Sequence, residues 1–193
     1  MKALPLRLSH VCLAAALACA LVLPAAAQDA AKKERKPDVI FVPTPNETVE
    51  KMLQMAEIKK GDILYDLGCG DGRIVIAAAK KYGVKAIGVD IDPERVKESL
   101  ANVKKEGVEH LVTIKQADIF ELDFSDANVV TMYLLPELNV KLMPKLAKLK
   151  PGTRIVSHDF DMKGAKPKET VSVETDRGYD STVYKWVVPW EKE

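Results

Sequence analysis

Two hydrophobic spacings take turns along this chain. Short runs of strand-forming residues are separated by segments whose apolar positions recur every three or four residues, as on one face of a helix. Ile63, Leu64 and Leu67 predict a buried strand running into Gly68-Cys69-Gly70-Asp71-Gly72. From Ile74 the pattern Ile74, Ala77 and Ala78, with Val75 and Ala79, predicts a helix ending near Tyr82-Gly83. Residues 85–90 predict a second strand, and Asp92-Pro93-Glu94 opens the next helix as N-cap and first turn, with Val96, Leu100 and Val103 toward the sheet. A third strand is predicted over 111–114 and a fourth, buried on both faces, over 128–135. Pro136 then begins a helix carrying Leu138, Leu142, Leu146 and Leu149, which Pro151-Gly152 closes. Residues 154–157 read as a fifth strand, and 171–173 with 182–188 as an antiparallel pair about the turn at 176–180.

Upstream of these elements, Pro43 and Pro45 keep residues 41–43 extended. Thr44-Pro45-Asn46-Glu47 reads as a capping box, with Thr44 as N-cap and Pro45 at the first helical position. The helix it starts presents Val49, Met52, Leu53 and Ala56, and is expected to pack on the sheet edge. The segment 41–45 either leads into that helix or folds over a ligand. Strand–helix alternation followed by a terminal hairpin implies an α/β sandwich: a mostly parallel sheet with a C-terminal antiparallel hairpin.

Residues 1–27 change the compositional picture. Lys2 and Arg7 precede an apolar run over 11–23 and Ala25-Ala26-Ala27, with no acid before Asp29. This is the layout of a secretory signal peptide, and the apolar run is short for a membrane span. The expectation is an exported protein without a stable membrane span after cleavage, an uncleaved anchor being the alternative. Residues 28–38 form a polar leader, and 39–193 a single domain. Without 1–27 the chain has 27 basic residues against 28 acidic ones, since Lys2 and Arg7 depart. Such a balance gives no global reason to expect a nucleic-acid partner. Cys69 is then the one remaining cysteine, so no intramolecular disulfide can form.

The chemistry concentrates at the ends of the first three strands. Right-handed crossovers put those ends on one rim, so Asp66, Asp90 and Asp118 converge where open α/β sheets bind ligands. The third glycine of a dinucleotide fingerprint would fall at 73, which is Arg73. Asp66, two residues before Gly68, suits a ligand with a cationic amine and would repel a pyrophosphate. Asp90 is placed to accept hydrogen bonds from both hydroxyls of a ribose.

Asp66 with Gly68, Gly70 and Gly72, followed by the two later acids, resembles the first motif of class I S-adenosylmethionine-dependent methyltransferases. The resemblance implies a Rossmann-like class I methyltransferase sandwich that takes S-adenosyl-L-methionine as cofactor. It further implies cofactor contacts from Asp66, Gly68, Cys69, Gly70, Asp90 and Ile91, and from Asp118 to the adenine amine with Ile119 beside the ring. A solvated turn aspartate is the alternative for Asp118. The stretch Phe41-Val42-Pro43-Thr44-Pro45, the helix after it, Tyr65 to Ala79 and the proline after the fourth strand are similar to the mitochondrial protein lysine N-methyltransferases. Members of that family modify the ATP synthase c subunit and the adenine nucleotide translocase, so the acceptor implied is a protein lysine. A small-molecule methyltransferase and a non-catalytic cofactor-binding protein are the alternatives.

A lysine nucleophile must lose a proton, which an apolar or aromatic channel encourages. Tyr133 and Pro136 are the candidate channel residues; Tyr133 reads equally as a core tyrosine with a surface hydroxyl, and Asn139 is a further polar contact. The Asp/Asn-Pro-Pro-aromatic signature of adenine-N6 DNA methylases is missing from Tyr133-Leu134-Leu135-Pro136. A covalent cytosine mechanism lacks its nucleophile, because Cys69 lies within the glycine turn. His158, Asp159 and Asp161 read as a solvated loop, with no metal expected.

Overall fold

The structure, a computed structural model, describes residues 36–193. The expected signal peptide and all but the last three leader residues lie outside the described residues. The elements are α1 (Asn46–Met55), β1 (Ile63–Leu67), α2 (Arg73–Tyr82), β2 (Lys85–Asp90), α3 (Pro93–Lys105), β3 (Val112–Gln116), β4 (Val129–Met132), α4 (Pro136–Leu146), β5 (Arg154–His158), β6 (Glu169–Val173) and β7 (Ser181–Val187).

The seven strands form one sheet in the order β3-β2-β1-β4-β5-β7-β6. β1 to β5 are parallel, and β7 enters antiparallel between β5 and β6. The sheet is therefore the mostly parallel one expected, closed by the antiparallel hairpin. Period-two alternation divides its side chains between two cores. Leu64, Ala86, Val129, Val156 and Val183 face the side covered by α1, α2 and α3. Tyr65, Val130, Ile155 and Trp186 face the side covered by α4 and the loops beyond β3 and β5. Burial on both faces explains why β4 reads as a continuous apolar run.

Three local expectations are corrected. Thr44 does not cap α1: the N-cap is Pro45, without a side-chain hydrogen bond, and the Thr44 hydroxyl is taken up by His158 Nδ1 at 3.2 Å. α1 packs beside α2 and over β5, β7 and β6, on the sheet face instead of its edge. Leu100 is exposed, and the inner face of α3 is made by Ser99 and Val103. Ser99 packs directly against the glycine turn: a Cβ on Gly72 would come within 3.1 Å of Ser99 Cβ. Asp92 does cap α3, accepting from Glu94 N–H at 2.8 Å, a contact worth about 1 kcal/mol.

Candidate active site

The carboxyl ends of β1, β2 and β3 open into a cleft of about 930 Å³, open solvent included. Asp66, Asp90 and Asp118 all line it, together with Gly68, Cys69, Ile91, Ile119 and Tyr133. Gly70 and Pro136 do not. Gly70 lies beneath the wall, its N–H turned to Asp90, and Pro136 begins α4 at the first helical position while Leu134 and Leu138 face the cleft.

Backbone hydrogen bonds make the glycine turn rigid. Gly68 and Cys69 both donate their N–H to Val89 O, at 2.8 and 2.9 Å, tying the turn to the adjacent strand. Gly68 needs its left-handed φ of 83° to do so, a region that costs a glycine nothing. The Asp90 carboxylate is fixed at both oxygens, Oδ2 accepting from Gly70 N–H (2.9 Å) and Oδ1 from Asp92 N–H (3.0 Å). Each oxygen retains capacity to accept a further hydrogen bond. Asp118 accepts from Phe120 N–H at 2.9 Å, which holds the following loop in a turn. On that loop's other side Lys145 Nζ donates to the carbonyls of Phe120 (2.9 Å) and Leu122 (2.5 Å).

Asp66 is the anomalous carboxylate. It is 2% exposed, and Thr131 Oγ1 donates to its Oδ1 at 2.8 Å. Burial, with the nearby charges of Asp90 and Asp71, pushes its pKa up to about 7 against the Thr131 hydrogen bond. Among the described residues no lysine or arginine pairs with it. A buried carboxylate left without a cation is destabilising unless it is protonated or a cationic ligand reaches it.

The segment before α1 folds over the cleft, which settles the choice left open by the sequence. Residues 37–44 line the cleft wall, including Pro37 and Asp38 from the end of the leader. Arg73 fastens the segment: its Nη1 donates to Thr44 O at 2.7 Å while Asp71 grips its Nε and Nη2. Arg177 donates to Pro43 O at 2.9 Å, and the Arg95 guanidinium lies 5.0 Å over the Phe41 ring. Sequence reasoning missed Arg73. Its signal was a cation in the first turn of a helix, where the helix dipole favours an acid.

At the other end of the cleft Tyr133 meets two more rings. Its centroid lies 3.9 Å from that of His158 and 6.0 Å from that of Phe160. His158 is buried, not solvated, and its nitrogens face Thr44 Oγ1 (3.2 Å) and Ser181 Oγ (3.0 Å). Burial lowers its pKa, so the imidazole is neutral at pH 7. Asn139 is fully buried and donates to the carbonyls of Phe160 (3.0 Å) and Asp161 (3.1 Å), so it braces the loop after β5 and is no acceptor contact. The cleft therefore runs from a set of fixed carboxylates to Tyr133, against which His158 and Phe160 pack.

Residues 66–169 match the ANTKMT methyltransferase domain family. The chain is 52% identical over 154 residues to a protein-lysine N-methyltransferase of Saccharolobus islandicus, covering 79% of this chain and 95% of that one. It is 30% identical to the human lysine N-methyltransferase named for the ATP synthase c subunit, covering 78% of this chain and 65% of the human protein. A crystal structure from Salinibacter ruber, described as an RNA methyltransferase in complex with S-adenosyl-L-homocysteine, shares 50% identity with a TM-score of 0.71. That match covers 78% of this chain and 95% of that one. With the seven-strand order and the carboxylate-lined cleft, these matches show that the chain belongs to the ANTKMT methyltransferase family and is an S-adenosylmethionine-dependent methyltransferase.

Proposed function

We propose that this enzyme N-methylates a lysine side chain of a protein, with the donor held by Asp66, Asp90 and Asp118. The donor fits the residues present, because Asp66 is a buried carboxylate calling for a cation and the donor carries an amine. Asp66 and the turn at Gly68 to Gly70 take its amino-acid end, Asp90 beside Ile91 its ribose, and Asp118 with Ile119 its adenine. Bound there, the sulfonium supplies an activated methyl group. The protein's own work is to fix the reactants in line and exclude water. Segment 37–44 covers the cleft, while Lys145 keeps the loop from Ile119 to Leu122 in place.

The observation that carries the lysine reading is the rim of Tyr133, His158 and Phe160. Tyr133 lines the cleft, with the neutral imidazole of buried His158 and the ring of Phe160 packed against it, and an aromatic lining favours the uncharged, nucleophilic amine. Similarity to two proteins named as lysine methyltransferases supports it. An RNA acceptor is the second reading, favoured by the description of the Salinibacter relative. The balance of 27 bases against 28 acids beyond residue 27 speaks against it, since RNA binding rests on a basic footprint. We further propose that the chain acts outside the cytoplasm, on the strength of residues 1–27; cell fractionation tests this, and recovery in the cytosol with an intact N-terminus would refute it.

The acceptor class is decided by incubating the full chain with tritiated donor and, separately, total bacterial protein and total RNA. Methyl-lysine in the hydrolysed protein is the expected product. Label confined to nucleosides would establish the RNA reading, and label confined to small molecules would overturn both.

A further inference from the structure

The chain turns at the end of β5 in a way that ordinary residues avoid. Asp159 has φ 57°, and Phe160 N–H donates to His158 O at 2.7 Å, closing a three-residue γ-turn of the rare, strained hand about Asp159. Its surroundings over-determine this conformation. Asp159 N–H donates to Thr182 O at 2.7 Å, and Thr182 N–H donates back to Asp159 Oδ1 at 2.8 Å. On the far side of the turn the Phe160 carbonyl accepts from Ser157 Oγ at 2.6 Å and from the buried Asn139. Strain held this firmly is characteristic of functional positions.

The turn presents a carboxylate beside the aromatic rim. Asp159 Oδ2 lies 3.3 Å from His158 Nε2, and the Asp159 side chain is about one quarter exposed. The imidazole is neutral, so this contact is a hydrogen bond at most and leaves the negative charge uncompensated by His158. The adjacent Tyr133 phenol senses that charge: after burial, Asp159 is the largest cause of its raised pKa, against the opposing charge of Arg177, which also acts on His158. Tyr133 in turn lines the cleft. The carboxylate thus stands at the acceptor end, just past β5 and one strand beyond the position after β4 that Tyr133 occupies.

We propose that Asp159 binds the acceptor: its carboxylate receives the ε-ammonium of the incoming lysine and aligns it between Tyr133 and Phe160. This deepens the lysine reading and rests on it. The ammonium passes one proton by way of Asp159 to solvent. Its freed lone pair forms the N–C bond to the methyl carbon as the S–CH3 bond breaks, the bonding pair staying on sulfur. The sulfonium becomes a neutral thioether, and the positive charge passes to the methylated nitrogen.

Asp159→Asn and Asp159→Gly test the assignment. Asparagine keeps an oxygen for Thr182 N–H and tolerates a positive φ, and glycine removes the strain altogether. The full chain is assayed with tritiated donor on polylysine and on total bacterial protein, with donor affinity measured by calorimetry. Both variants are expected to bind the donor within about twofold of wild type and to form methyl-lysine more than about 100-fold more slowly. The rate relative to wild type at the same pH should recover as pH rises from about 7 toward about 10 and the free amine, of pKa about 10.4, deprotonates without help. A purely structural role would not produce that recovery. Wild-type rates in either variant would overturn the proposal, as would a loss of donor binding in both. If wild-type enzyme itself forms no methyl-lysine on either acceptor, the lysine reading fails and the proposal falls with it.

Discussion

The ring of Phe41 rests directly on Gly70. A Cβ placed on Gly70 would come within 2.1 Å of Phe41 Cε2, closer than non-bonded carbons approach, and Gly70 also has φ 53°. The covering segment and the glycine turn are therefore fitted to each other at a point where no side chain is tolerated.

Gly70→Ala is expected to lift the segment and weaken donor binding by about tenfold or more, a left-handed alanine alone costing roughly 1–2 kcal/mol. Adding Phe41→Ala removes the collision but not the backbone strain. The double variant should therefore regain part of the affinity. Calorimetric titration of the two variants checks both; a double variant weaker than Gly70→Ala would show that the ring does not press on the turn.

Asp66 makes the free protein sensitive to pH in an unusual direction. Its folded pKa is raised to about 7 from an ordinary 3.8, so the folded state holds the proton when the unfolded chain has released it. Its contribution is fully present below pH about 4 and is lost as pH rises through about 7, by the order of a few kcal/mol at most. Asp66→Asn should thus resemble wild type in thermal unfolding at pH 4 and exceed it at pH 8 without donor. Donor binding should fail in the variant. Equal loss of stability with pH in both proteins would refute the assignment.

Arg73 is expected to serve the covering segment more than the helix it begins. Arg73→Gln leaves Thr44 O without its guanidinium, while the α2 N-terminus loses an unfavourable cation. Donor affinity should fall roughly five- to thirtyfold, with unfolding temperature little changed. Hydrogen exchange should quicken at residues 40–44 and not within α2. Unchanged exchange there would contradict the tether.

Lys145→Met should act on the adenine end alone. It removes the donor shared by the Phe120 and Leu122 carbonyls, which follow Asp118 and Ile119. The KM for donor is expected to rise by about tenfold, with the KM for acceptor unmoved. A change confined to the acceptor would refute the role.

The sheet and the three acids were legible because period-two alternation, glycine punctuation and right-handed crossovers are encoded locally. Tyr65 to Gly72 alone determines a strand, a turn and a carboxylate at their junction. Contacts between distant segments were not legible. Thr44 reads as an N-cap, yet its hydroxyl meets His158, 114 positions away, and no local pattern reveals that partner. His158 and Asp159 read as solvated because charged residues after a strand usually are. β7, inserted between β5 and β6, is what buries His158 through Ser181 and pins Asp159 through Thr182. Leu100 failed because an apolar residue near the helical spacing need not face inward: Ser99 packs against Gly72 on the inner face, and Leu100 faces solvent.

A crystal structure of the full chain with S-adenosyl-L-homocysteine tests the site most directly. The expected result places the amine against Asp66, the ribose hydroxyls on Asp90 and the adenine amine at Asp118, with the sulfur directed toward Tyr133. A ligand lying outside this cleft, or one with its sulfur turned away from Tyr133 and the β5 turn, would contradict both the donor site and the acceptor path.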